Sequence, residues 1–159
     1  YASVAPGKYN LKVVAAGQGC DSTGVIEADV ELRGGTDTTV AAINLFNNIQ
    51  PLIIADDNTP PMAGNAKVTF VHTSPNAPTV DITLTDGTTL FDNVQYKDAA
   101  DYIQVAAGTY DLQVRDETGT NVVLTLEDVV LEEGRVYSVF AVGLLNGTPA
   151  LDALLTVDN

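Results

Sequence analysis

The chain has 159 residues, 45% of them hydrophobic, with 13 glycines, 7 prolines, a single cysteine and no tryptophan; this composition excludes a disordered tail, a collagen-like repeat and a disulfide framework. Seven Lys and Arg against 21 Asp and Glu give a formal net charge of −14, which opposes binding to nucleic-acid phosphates and anionic lipid surfaces. No stretch approaches the ~20 apolar residues of a membrane span, so neither nucleic acid nor membrane insertion is expected.

In chain order, the first predicted element is a hairpin over Tyr1 to Val13, two alternating stretches around Ala5-Pro6-Gly7, with Gly7 supplying positive φ at the turn. The opening lacks a charged and apolar leader and reads as a mature chain or a cut piece. Cys20 follows alone in the Gly17 to Asp21 loop, a free thiol or, less favoured, a covalent link to a second chain. The stretch that follows ends on Asp56-Asp57-Asn58. Residues 59–66, with two prolines that cannot join a central ladder, read as a linker. Beyond it, Val68 to Val71, Val80 to Thr85, Tyr110 to Arg115 and Arg135 to Val142 alternate with period two, punctuated by Asp86-Gly87, Thr118-Gly119 and Glu133-Gly134. Val80, Ile82 and Leu84 should face a core while Asp81, Thr83 and Thr85 face out. Ala150 to Leu155 is either one amphipathic turn or a final edge strand, and the strand is slightly favoured.

An internal repeat organises these elements. Tyr1 to Val13 matches Tyr102 to Val114 without a gap, keeping Tyr9/Tyr110, Leu11/Leu112 and Val13/Val114, so the hairpin should occur twice. Val30 to Gly35 then resembles Val129 to Gly134, and Val40 to Asn47 resembles Val139 to Asn146. Residues 68–101 have no counterpart before Tyr1. The expectation is therefore an all-β chain of tandem Ig-like or transthyretin-like β-sandwich modules, the first incomplete: 1–58 the latter part of a module, 59–66 the linker, 67–159 a complete module.

One segment carries its own physical reading. Pro75 and Pro78 fix φ and push Ser74 and Ala77 towards extended backbone, making a stiff corner between two strands. His72 and Asp81 bracket it, and an imidazole bonded to a carboxylate or a backbone carbonyl would clamp it. One His with one Asp is too few ligands for a transition-metal site. With a single imidazole, no Gly-x-Ser-x-Gly elbow, and Cys20 in the other copy, no nucleophilic device is expected and the chain reads as a non-enzyme. Asp56, Asp57, Asp116 and Glu117 supply oxygens at turns and are weak Ca²⁺ candidates, outside the Asp-x-Asp-x-Asp-Gly spacing; no cofactor is expected. The lysines Lys8, Lys12, Lys67 and Lys97 lie at turns or alternate with apolar residues and should be solvated.

His72-Thr-Ser-Pro-Asn-Ala-Pro-Thr-Val-Asp81, followed by Tyr102 to Tyr110 and Gly134 to Gly143, resembles the family known as domain of unknown function 4397, whose motif is His-Ala-Ser-Pro-Asp-Ala-Pro-x-Val-Asp. This chain departs from it at Thr73 and Asn76. The resemblance implies secreted or cell-surface bacterial and archaeal proteins, tandem modules and a β-sandwich, and it implies no reaction. The expected function is a non-enzymatic, extracellular structural or adhesive repeat whose partners are other protein chains or copies of itself. The alternatives are a filament subunit assembled by β-strand complementation between chains, and a ligand- or Ca-binding module using acidic loops.

Overall fold

Period-two alternation becomes strand almost wherever it occurs. The computed structural model describes all residues, 1–159, as two units, Tyr1–Asp57 and Asn58–Asn159. No helix is long and apolar enough to cross a membrane. The only helical element is a 3₁₀ turn at Phe46–Asn48.

Unit 1 holds four strands, β1 (Gly7–Val13), β2 (Ile26–Leu32), β3 (Asp37–Ile43) and β4 (Gln50–Asp56). They form two antiparallel ribbons, β1 with β2 and β3 with β4. Val30, Ile26, Ile43 and Ile54 are its buried apolar side chains.

Unit 2 is a two-sheet sandwich. Its strands are β5 (Asn65–His72), β6 (Val80–Leu84), β7 (Thr89–Val94), β8 (Ile103–Ala106), β9 (Gly108–Asp116), β10 (Val122–Leu131), β11 (Val136–Val142) and β12 (Asp152–Val157). One sheet runs β10-β9-β6-β7 and the other β12-β11-β5-β8. The β5–β11 pairing is parallel; the remaining pairings are antiparallel. Val68, Phe70, Val80, Ile82, Val114 and Val139 interdigitate between the sheets, and the Phe70 and Phe91 rings lie 6.3 Å apart. Each such side chain contributes about 1.5–3 kcal/mol on burial. The void left among them is apolar and about 20 Å³, too small for an organic ligand.

Several expectations change here. The repeated hairpin is not a hairpin: β8 pairs with β5 in one sheet and β9 pairs with β6 and β10 in the other, so the chain switches sheets at Ala107. Neither Gly7 nor Gly108 has positive φ. What closes the switch is the tyrosine two residues on, whose hydroxyl donates back to the chain before the corner, Tyr110 to the Ala106 carbonyl at 2.6 Å and Tyr9 to the Ala5 carbonyl at 2.6 Å. Residues 1–6 form no strand. Thr83 is buried, because the Arg115 Nε that donates to its Oγ1 at 3.2 Å covers it. Lys67 is also buried: its Nζ donates to Thr59 Oγ1 at 2.8 Å and lies 5.3 Å from the centre of the Tyr102 ring, which replaces part of the lost hydration. β5 begins at Asn65, two residues inside the stretch read as a linker. Ala66 is fully buried there. The stretch is tied down by Met62 N to Gln104 Oε1 and Gly64 N to Glu133 Oε1. Ala150 to Leu155 runs into the edge strand β12.

Candidate functional site

The proline corner connects the end of β5 to the start of β6, crossing from one sheet to the other. Its first three polar side chains point into the protein, while Asn76 is exposed. His72 and Ser74 are fully buried and Thr73 nearly so. The Thr73 hydroxyl donates to the Ala141 carbonyl, Ser74 Oγ to the Gly143 carbonyl at 2.9 Å, and Asn76 Oδ1 accepts from Leu145 N at 2.9 Å. The corner is thus stitched to the chain leaving β11. Gly143 is required at this seam, since it sits at φ 78° and a Cβ there would lie 2.1 Å from the Ala150 carbonyl oxygen.

His72 Nε2 lies 2.9 Å from the Pro78 carbonyl. A carbonyl only accepts, so Nε2 carries the proton and Nδ1 is the unprotonated nitrogen. Nδ1 is buried without a protein partner, as is the Tyr96 hydroxyl. The Tyr96 ring stands edge-on to the imidazole, 6.1 Å centre to centre. Burial holds the His72 pKa below its ordinary value, against smaller opposing effects of the Pro78 carbonyl and the Asp98 charge.

A depressed folded-state pKa means that the unfolded chain binds the extra proton first, so this contribution to stability is complete above about pH 6.5 and is lost as pH falls through the folded-state value. We expect the stability gap between the wild type and a His72→Gln variant, measured by urea unfolding, to narrow between about pH 7.5 and about pH 5. A constant gap would contradict the assignment of a neutral buried ring.

Asp81 is not the partner of His72. Its Oδ1 accepts from Asn93 N at 2.8 Å, satisfying a residue with φ 54° where the β6–β7 register shifts. Pro75 and Pro78 therefore stiffen a corner whose clamp is an imidazole on a backbone carbonyl, while Asp81 fixes the neighbouring strand. Tyr96 and the bond of Ser74 to the Gly143 seam are not marked in the sequence. Their contacts join segments far apart in the chain, and no local pattern marks them. Asn76 departs from the family's aspartate, yet it supplies the same acceptor oxygen that a carboxylate would.

The acidic candidates lie apart from this corner. Asp56 Oδ2 accepts from Thr39 Oγ1 at 2.8 Å and from the Tyr1 hydroxyl at 2.9 Å. The second copy repeats the first bond, Ser138 Oγ to Asp158 Oδ2 at 2.6 Å. Asp57 adjoins it at the end of unit 1. Asp116 closes the β9–β10 turn, accepting from Thr118 Oγ1 and Asn121 Nδ2, both at 2.6 Å, and these bonds hold its carboxyl below the usual range. Glu117 sits exposed at the same turn. No three His, Cys, Asp or Glu side chains are grouped to hold a metal ion.

Together these features define a β-sandwich module with a buried imidazole clamp at a proline corner. The sequence pattern of the family described as Domain of unknown function (DUF4397) matches residues 1–83 and 83–159, and the chain belongs to that family. Among solved structures, the C-terminal domain of AlgF from P. aeruginosa is similar at 16% identity with a TM-score of 0.43, over 61% of this chain and 99% of that one. No curated protein matches.

Proposed function

We propose that the chain is a non-enzymatic structural or adhesive β-sandwich repeat, secreted or displayed on a bacterial or archaeal cell surface, whose partners are other protein chains. The observation that carries this reading is the state of the corner. Its imidazole and its Thr73 and Ser74 hydroxyls are buried and committed to backbone carbonyls, so the chemically capable groups act as fasteners, and none offers a nucleophile to solvent. A surplus of 14 negative charges suits a protein that stays soluble and meets partners through specific contacts.

A second reading, the subunit of a filament built by strand complementation, is favoured by one feature: β1 and β3 each have an unpaired edge. The test of location is antibody labelling of intact cells of the source organism. We expect labelling without permeabilisation and loss of signal after mild protease treatment. Labelling that appears only after permeabilisation would overturn the surface assignment.

A further inference from the structure

The chain leaving β11 closes a loop beside the proline corner before it enters β12. Leu144 N donates to the Pro149 carbonyl at 3.0 Å, and Leu144 forms a β-bridge with Ala150. The same loop is fastened to the corner by Ser74 Oγ on the Gly143 carbonyl and by Leu145 N on Asn76 Oδ1. Between these anchors Asn146 stands exposed at the tip, followed by Gly147.

No other asparagine in residues 1–158 precedes a glycine. A side chain on the following residue hinders the approach of its amide nitrogen to the carboxamide carbon, and glycine removes that obstacle and lets the backbone bend towards it. The carboxamides of Asn10, Asn44, Asn76, Asn93, Asn121 and Asn159 are engaged in hydrogen bonds. The Asn146 carboxamide and Gly147 N make none.

Packing explains why glycine follows Asn146. A Cβ at position 147 would lie 2.6 Å from Leu144 Cδ1 and 2.8 Å from Leu144 Cβ, so the closed loop selects glycine and the reactive pair comes with it. Asp86-Gly87 is the aspartyl counterpart, and it is restrained. Asp86 Oδ1 accepts from Thr88 N at 2.9 Å, and Gly87 N donates to the Leu84 carbonyl at 3.0 Å. The bonds from Thr88 hold the Asp86 carboxyl below its usual range. An ionised carboxylate is a poor acyl acceptor and a committed amide is a poor nucleophile, whereas Asn146 and Gly147 carry neither restraint.

We propose that Asn146 is a self-modification site, converted without an enzyme to a mixture of aspartate and isoaspartate. The Gly147 nitrogen attacks Asn146 Cγ and gives up its proton, which departs with the carboxamide nitrogen as ammonia while the new C–N bond closes a cyclic imide. Water then opens the imide at either carbonyl, giving aspartate when the bond to Cγ breaks and isoaspartate when the bond to the backbone carbonyl breaks. Water is the sole co-reactant, and nothing is oxidised or reduced. Each conversion adds a negative charge beside the corner. Isoaspartate also lengthens the main chain by a methylene inside a loop whose ends are bonded at Leu144 and Pro149, next to the Leu145 bond that fastens the loop to Asn76. The inference is independent of where the protein resides.

The test is to age the intact folded chain in heavy-oxygen water at mildly acidic and mildly alkaline pH, followed by peptide mapping with electron-transfer fragmentation, which separates aspartate from isoaspartate. The peptide spanning Asn146 should gain the amide-to-acid mass and the oxygen label faster than any other asparagine peptide, and faster at alkaline pH, where the attacking amide loses its proton more readily. Asn146→Gln should abolish the gain. In the isoaspartate form, amide exchange at Leu144 and Leu145 should be at least about tenfold faster. A folded chain in which Asn146 stays intact while the denatured chain converts would overturn the proposal, since the loop would then hold the pair out of reach. So would a carbohydrate on Asn146 in chain isolated from the source organism, because Asn146-Gly147-Thr148 also fits a glycan acceptor and a glycan occupies the nitrogen that must leave. Conversion with unchanged exchange at Leu144 and Leu145 would overturn its coupling to the corner.

Discussion

His72→Ala is expected to destabilise unit 2 by about 2–4 kcal/mol. The substitution removes a fully buried ring, leaves the Pro78 carbonyl without its donor, and takes away the surface against which the Tyr96 edge rests. His72→Gln, which keeps a donor, should recover part of the loss. The measurement is urea unfolding followed by tyrosine circular dichroism near neutral pH. A loss below about 0.5 kcal/mol would mean that the corner is held by its prolines and by the Ser74 and Asn76 bonds alone.

A larger loss, about 3–5 kcal/mol, is expected for Phe70→Ala. Phe70 is almost completely buried, sits on the central strand β5 and packs across the sandwich against Phe91. Its removal enlarges an existing apolar void that rigid sheets on both sides cannot close. Since a domain of this size has only about 5–15 kcal/mol in hand, the variant should unfold at distinctly lower denaturant. An unchanged midpoint would mean that β5 relaxes inward, which the parallel pairing with β11 opposes.

Much of this architecture was legible in the residues. The matched tyrosines, leucines and valines identify the repeat, and unit 1 pairs its strands as β9 to β12 do in unit 2. The sheet switch at Ala107 was hidden because alternation on either side of a short turn looks the same whether the strands pair with each other or part company. The available signal was Tyr110, placed four residues after Ala106, where its hydroxyl reaches the carbonyl. Lys67 departs from the solvated expectation for a different reason. Its neighbours in sequence are apolar, but the Tyr102 ring that shelters it arrives from the end of a long excursion through β6 and β7. The corner residues are identifiable from their proline spacing, whereas the choice of Pro78 over Asp81 as the partner of His72 follows from the bond of Asp81 to Asn93 N, which spacing alone does not encode.

The parallel pairing of β5 with β11 has a mechanical consequence. Lys67 lies beside Val136, and Val157 beside Tyr137, so the first and last strands of unit 2 have their outer ends at the same rim of the sheet. With only β11 between them, those ends are two strand spacings apart, roughly 10 Å. Arg135 Nη1 holds the Asn159 carbonyl at 2.8 Å at that rim. Tension applied through Asn65 and Asn159 would therefore load the β11–β12 ladder from its end, one rung at a time, instead of shearing all its rungs at once. Under pull, such a module gives way progressively at low force and recoils, behaving as a compliant element in whatever assembly carries it.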